Sequence, residues 1–248
     1  MSLALTAGEI MRQNFTIGMH KEWKKDDSPL TVTDLAINEL VITEVRKNFF
    51  DHGIIAEEGS YFHNEEYVWV CDPVDGTNPF SHGYPTFTFS LALVRNGYPI
   101  LGLLYDPILD RLIVAESGHG ALLNNKPIRV SESTSLSRSL VAFEINDPYY
   151  NRLRDKLVED GCLLTTFACI SYSSLLVAIG EFRAAIWHGK SPWDGAAVQI
   201  IIEEAGGFCT SIDGSIQKYN CEINGIVASN IQIHPKLIEM IKTSITIP

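Results

Sequence analysis

The stretch "WVCDPVDGTNPF", residues 69–80, sets two aspartates, Asp72 and Asp75, three positions apart around a proline. An apolar run leads into it and a Gly-Thr pair follows. Asp-Pro and Asp-Gly pairs are ordinary turn residues, so in isolation the stretch reads as a solvated acidic turn. The alternative is a place built to hold cations and a phosphate, and the surrounding chain decides between the two.

Three short apolar runs, "GIIA" at 53–56, "YVWVC" at 67–71 and "FRAAIW" at 182–187, read as strands. The first two run straight into carboxylates, Glu57-Glu58 and Asp72, and the third is followed six residues on by "WDGAA". A carboxylate at a strand end is held by a rigid scaffold yet sits where the sheet opens to solvent. Glu57, Asp72, Asp75 and Asp194, with no His or Cys beside them, form a hard oxygen donor set that points to Mg²⁺ or Mn²⁺ over Zn²⁺. Gly76 lets the backbone approach a ligand closely, and Thr77 with Pro79 opens a short helix whose free N–H groups would accept a phosphate. Alone, Glu57-Glu58 is a solvated loop and Asp194 a helix cap. Together these residues suit metal-assisted hydrolysis of a phosphate ester.

The remaining pattern indicates layered helices and sheets. Thr33 and Asp34 open a helix carrying Leu35, Leu40, Val41, Val45 and Phe49 at helical spacing. "FTFSLALVRNGYPILGLLYDPILDRLIVAE" is an antiparallel meander with turns at Asn96-Gly97 and Asp106-Pro107. "DGAAVQIIIEEAGG" is a helix capped by Asp194 and closed by Gly206-Gly207, and its Glu203-Glu204 pair reads as a solvated face, like the Glu65-Glu66 pair as a solvated loop. The chain has 248 residues, 46% hydrophobic and 20% charged, which is globular composition. No apolar stretch approaches the roughly 20 residues of a membrane span, and the first residues lack the form of an export signal. A formal charge of −11 argues against nucleic acid as a partner. Five scattered cysteines without a CxxC pair suit a reducing cytoplasm. The seven histidines form no pair at ligand spacing and read as surface or structural, with His82 and His188 the candidates to line the pocket.

Taken together, "IIAEEGS", "DPVDGT", "PWDGAA" and "KKDDSPLTVTD" at 24–34 resemble, in order and spacing, the inositol monophosphatase family of metal-dependent, lithium-sensitive phosphatases. The resemblance implies an α/β (α+β layered) αβαβα sandwich, usually homodimeric, that uses two or three Mg²⁺, with Mn²⁺ a possible substitute. Glu57, Asp72 and the Val74 carbonyl would hold the first metal, and Asp72, Asp75 and Asp194 the second. Asp34 would support a third through water. Glu57 with Thr77 would orient and deprotonate the attacking water, and the N–H groups of Gly76 and Thr77 would take phosphate oxygens. The motifs fall in two halves, 1–140 and 141–248, that form one catalytic unit.

Departures from the family pattern concern the substrate. Where many inositol-specific members read DGTTNF, this chain has Asn78 and Pro79. Where they place a sugar-binding glutamate seven residues before the metal aspartate, it has Trp187, which either lines the pocket or packs in the core. The run "CISYSSLLVAIG" also differs and suggests a Ser/Tyr-lined pocket. The expected substrate is a small phosphorylated metabolite, inositol monophosphate-like, with histidinol phosphate, a fructose bisphosphate or a nucleotide 3′-phosphate as alternatives. The nearest rival enzyme is a haloacid-dehalogenase-type phosphatase, whose aspartates stand two apart near the N-terminus with the first a covalent nucleophile, whereas here the gap is three and the motif starts at Asp72. The rival from another class is a non-catalytic binding module, against which stands the presence of all four metal acids and Thr77.

Overall fold

The computed structural model describes residues 1–25, 27–61 and 66–245; Asp26, His63 and Glu65, on which the sequence reading touched, lie outside the described residues. A short hairpin, β1 (Glu22–Trp23) and β2 (Pro29–Leu30), precedes a seven-stranded sheet. Its strands are β3 (Gly53–Ala56), β4 (Tyr67–Asp75), β5 (Thr88–Arg95), β6 (Tyr98–Asp106), β7 (Arg111–Glu116), β8 (Gly120–Leu123) and β9 (Lys126–Pro127), paired in chain order. Within it β3 and β4 run parallel and every later pair is antiparallel, the meander expected from the turns at Asn96-Gly97 and Asp106-Pro107. A second sheet contains β10 (Leu140–Glu144), β11 (Leu163–Thr165), β12 (Ala184–Trp187), β13 (Gly207–Thr210) and β14 (Ile226–Asn230), in the order β11-β10-β12-β14-β13.

Helices make the other three layers. Helices α1 (Ser2–Asn14) and α2 (Val32–Asn48) cover the outer face of the first sheet, where Met11, Ile37 and Val41 meet Trp69, Cys71 and Phe89. Helices α5 (Ile170–Ala178) and α6 (Ala196–Glu204) fill the space between the sheets, and α4 (Asn151–Glu159) and α7 (His234–Ile245) back the second. This is the αβαβα sandwich. Period-two alternation explains it: Val68 and Val70 of β4 face the central layer while Trp69 and Cys71 face α1 and α2. Gly102 of β6 lets α6 lie flat on the sheet, since a Cβ there would meet Ile200 Cγ2 at 2.3 Å and the Ala197 carbonyl oxygen at 3.0 Å.

Three helix details differ from the sequence reading. The cap of α2 is Thr31 rather than Thr33: its hydroxyl accepts from Thr33 N–H, and the Asp34 carboxylate accepts in return from Thr31 N–H at 2.8 Å, a reciprocal capping box. That arrangement buries Ile37, Val41 and Val45 and leaves Leu35 and Phe49 exposed. Asp194 does not cap α6; it ends a 3₁₀ turn, Pro192–Asp194, and Gly195 occupies the cap, which frees the carboxylate to point elsewhere. Nor is Glu203-Glu204 a solvated face. Glu204 accepts from Gly118 N–H and Gly120 N–H at 2.7 Å each, and burial pushes the Glu203 carboxyl up to about 7.

His234, at the start of α7, is 3% exposed, with Ser229 Oγ 2.8 Å from Nδ1 and Thr210 Oγ1 3.0 Å from Nε2. Burial lowers its pKa to about 4. Because the unfolded chain takes up this proton near pH 6.5 and the folded chain only near 4, the contribution of His234 to stability is whole above 6.5 and is lost as pH falls through that window. An NMR titration of the histidine ring resonances is expected to show His234 still neutral at pH 5.

Candidate active site

The geometry of the site begins with an irregularity in β4. Asp72 pairs with Ser90 of β5, but Asp75 pairs with Thr88, so three steps along β4 match two along β5. This is a one-residue bulge, at the place where Pro73 cannot donate to the ladder. In a regular strand, residues three apart face opposite sides of the sheet. The extra residue turns Asp75 back to the inner side with Asp72, while Val74 packs outward with Cys71. Asp72 Oδ1 accepts from Val74 N–H at 3.0 Å, and Asp75 Oδ2 accepts from Ser171 N–H of α5 at 2.7 Å. Asp194 reaches the same point from the other half of the chain, so that Asp72, Asp75 and Asp194 each bring a carboxylate oxygen within 4.8 Å of the others.

Glu57 and Thr77 border this cluster. Parallel pairing of Ala56 with Cys71 sets Glu57 beside Asp72 at the strand ends. Its Oε1 accepts from Lys24 Nζ at 2.7 Å, and the same ammonium also pairs with Glu58. Gly76, with φ +90, starts the short helix α3 (Thr77–Ser81); a Cβ there would lie 2.7 Å from the Thr86 carbonyl oxygen, so glycine is required. Thr77 Oγ1 stands 2.9 Å from the Val74 carbonyl and 3.1 Å from Asp34 Oδ1, and donates its single proton to one or the other. Its hydrogen-bond partners are therefore Val74 and Asp34, and Glu57 is instead engaged by Lys24.

Electrostatics single the cluster out. Burial, and then the charges of Glu57, Asp75 and Asp194, push the Asp72 carboxyl well above the usual range. Asp194 is raised likewise by burial and by Asp75 and Glu57. Asp75 rises less, to about 6, because burial is opposed by the hydrogen bonds from Ser171 and Cys169. Asp34 is also raised by burial. For Lys24 burial works against the charge, but the bonds and charges of Glu57 and Glu58 outweigh it and raise its pKa. Crowded, buried carboxylate oxygens with a backbone carbonyl nearby and no nitrogen or sulfur donor among them are the donor set that Mg²⁺ takes.

A cavity of about 360 Å³ opens over these groups, lined by Glu57, Asp72, Val74, Asp75, Thr77 and Asp194 and by Gly76 and Asn78 at its rim. A second, of about 170 Å³, adjoins it through Asp75 and Asp194 and is lined by Glu144, Ala168, Cys169, Ile170 and Trp187. Trp187 does both things weighed for it: half-buried, it packs on the central core and also faces this cavity. The expected serine and tyrosine lining is replaced, because Ser171, Ser173 and Ser174 are fully buried in α5 and only its entry residues reach the cavity. His82 instead bonds to the Asn78 carbonyl, and His188 packs on Tyr150. The sequence reading missed Glu144, Ala168 and Lys24. Glu144 follows an apolar run, "LVAF", as Asp72 does, and that signal could have found it.

A profile described as the inositol monophosphatase family matches residues 1–246. The chain belongs to the inositol monophosphatase family. Among family members it is 32% identical to inositol monophosphatase 1 of Solanum lycopersicum, over 97% of this chain and 92% of that one. It is 35% identical to a histidinol-phosphatase of Chlorobaculum parvum, over 88% and 85%. Its fold superposes on the Thermotoga maritima IMPase with a TM-score of 0.89 at 29% identity, covering 98% of this chain and 95% of that one. Members of the inositol monophosphatase family are phosphoric monoester hydrolases, so this chain is one by class.

The crowding has a measurable cost. Asp72→Asn keeps the oxygen that accepts from Val74 N–H but removes one buried charge. In EDTA the variant is expected to melt about 2 °C above the parent, the scale of roughly 1 kcal/mol in a chain of this size. Adding Mg²⁺ is expected to raise the melting temperature of the parent and to have little effect on the variant. Differential scanning calorimetry reads both, and a variant that melts lower in EDTA while keeping the Mg²⁺ effect would contradict the account.

Proposed function

We propose that this chain is a Mg²⁺-dependent phosphomonoesterase that hydrolyses a small phosphorylated metabolite by direct attack of water. The observation that carries the reading is the convergence of Asp72 and Asp75, both buried, with the half-buried Asp194, beside a Lys24 ammonium that is engaged by Glu57 and Glu58. Glu57, Asp72 and the Val74 carbonyl would hold one cation and Asp72, Asp75 and Asp194 a second. Asp34, tied to Thr31 and Thr77, would reach a third only through water. When bound, divalent cations neutralise the cluster, acidify water and stabilise charge on the phosphoryl oxygens. Mn²⁺ would substitute.

The protein's own groups do the rest. Glu57, at the cavity edge, accepts a proton from the attacking water once Lys24 releases it. Thr77, whose single proton goes to Asp34 or the Val74 carbonyl, offers an Oγ1 lone pair to accept a hydrogen bond from that water. The N–H groups of Gly76 and Thr77 receive phosphate oxygens where only glycine leaves room. Because Asp72 and Asp75 come from residues 1–140 and Asp194 from 141–248, the two halves make one catalytic unit. The reading includes a cytoplasmic homodimer; among the described residues no helix is long and apolar enough to cross a membrane.

Asn78, Trp187 and Asp194 would contact the leaving group. An indole in place of a carboxylate at 187 favours an ester with a flat or partly apolar leaving group, such as histidinol phosphate or a nucleotide, beside the inositol monophosphate class. Relatives named for inositol monophosphate, fructose bisphosphate and histidinol phosphate support this range of substrates.

Phosphate release should be measured over inositol 1-phosphate, histidinol phosphate, fructose 1,6-bisphosphate and adenosine 3′,5′-bisphosphate. Turnover of at least one is expected to require Mg²⁺ and to fall on adding Li⁺. Asp75→Asn should lower kcat by about 10² or more. Metal-independent turnover, or an unimpaired Asp75→Asn, would overturn the ligand assignment, and no release from any ester would favour a non-catalytic binding module.

A further inference from the structure

The segment that joins β11 to α5 is fastened to both sheets. On the side of the first sheet, Ser171 N–H donates to Asp75 Oδ2 and Cys169 Sγ donates to the Asp75 carbonyl at 3.2 Å. On the side of the second, Glu144, the last residue of β10, accepts four hydrogen bonds. Thr166 Oγ1 at 2.7 Å and Ala168 N at 3.0 Å donate to Oε2. Ser173 Oγ at 2.6 Å and Phe167 N at 2.9 Å donate to Oε1. A carboxylate has about four acceptor positions. The four donors therefore fill Glu144, and all four come from one short stretch, 166–173.

What that stretch presents is Ala168. Its φ of +53 lies in the left-handed region, which a residue with a Cβ adopts only when its surroundings hold it there. Ala168 lines the catalytic cavity, the adjoining cavity with Trp187, and a larger groove of about 600 Å³ that runs past Asn146, Asn151 and Arg154. It is the shared wall of all three. Glu144 itself faces the second cavity and the groove. β10 is held beside β12 by its backbone ladder, Glu144 opposite Trp187, so the strand does not depend on this side chain for its place.

We propose that Glu144 is a positioning residue for substrate. Its filled carboxylate fixes Ala168 as the partition over which the leaving group of the ester passes from the catalytic cavity toward Trp187 and the groove. This rests on the phosphomonoesterase reading above. Glu144 does not bind the leaving group; it sets the wall against which the leaving group is seated. The predicted signature is a loss of substrate affinity with the chemical step preserved, because the stretch stays tied to Asp75 through Ser171 N–H and Cys169 Sγ when its bonds to Glu144 are weakened.

Two variants test this. Glu144→Gln keeps the size but turns one acceptor oxygen into a donor, so one pair of donors loses its partner. Ser173→Ala removes a single donor and leaves the carboxylate. Each Mg²⁺-loaded variant is compared with the parent on the four esters named above, and Mn²⁺ affinity is measured separately by calorimetry. Glu144→Gln is expected to raise KM about tenfold with kcat within about threefold, Ser173→Ala to raise KM about twofold to threefold, and both to bind Mn²⁺ like the parent. An unchanged KM in both, a fall in kcat and melting temperature at constant KM, or weakened Mn²⁺ binding would overturn the proposal. If Glu144→Gln does not fold, Ser173→Ala decides by the same criteria. A parent that turns over none of the esters removes the phosphomonoesterase reading and this one together, whereas an active parent with unchanged KM in the variants removes this one alone.

Discussion

A strand exposes alternate residues to alternate faces, and that constraint governs how two acids three positions apart can serve one site. In β4 it is met by the bulge between Asp72 and Asp75, which returns the second carboxylate to the side of the first. Much of the site's placement follows from that turn of the backbone. Val74 is left on the outer face, where it packs with Cys71 and offers its carbonyl toward Thr77. Gly76 then begins α3 in a conformation open to glycine, and Asp75 is left pointing at the entry of α5. Without the extra residue Asp75 would sit among Trp69, Cys71 and Phe89, in an apolar layer with no partner for its charge.

The second half of the chain closes the site by supplying what the first cannot. Asp194 arrives on a 3₁₀ turn before α6, and α6 lies against β6 because Gly102 admits it. The fold thus drives acids together that repel one another, and burial makes the repulsion dearer. Lys24 offsets part of it at Glu57 and Glu58, at the edge of the cluster, and leaves Asp72, Asp75 and Asp194 facing each other. A native state that keeps such a cluster is more stable with cations bound than without, which is the physical link between the architecture and the proposed chemistry.

Much of this was legible in the chain. Strand runs ending in carboxylates were visible as patterns, and the meander announced itself by Asn-Gly and Asp-Pro turns. What stayed hidden depends on partners distant in sequence. Thr33 and Thr31 are equally good caps on paper, and the choice is made by Asp34 reaching back to Thr31. Asp194 has the form of a helix cap until the turn Pro192–Asp194 aims it at Asp72. The serines of α5 look like a polar lining, but the helix turns them into the core and leaves Cys169 and Ile170 at the cavity. Glu144 ends an apolar run as Asp72 does, but nothing local shows what it or Lys24 binds, since their partners lie 22 to 34 residues away.

The central claim is that the bulge and the turn before α6 build a divalent cation site from both halves of the chain. Crystals grown with Mn²⁺ and measured at a wavelength where manganese scatters anomalously test it most directly. The account predicts at least two anomalous peaks per chain, within coordination distance of Asp72 and shared among Glu57, Asp75 and Asp194. A well-ordered structure at saturating Mn²⁺ with no peak at Asp72, or with the carboxylates paired only to protein donors, would contradict it.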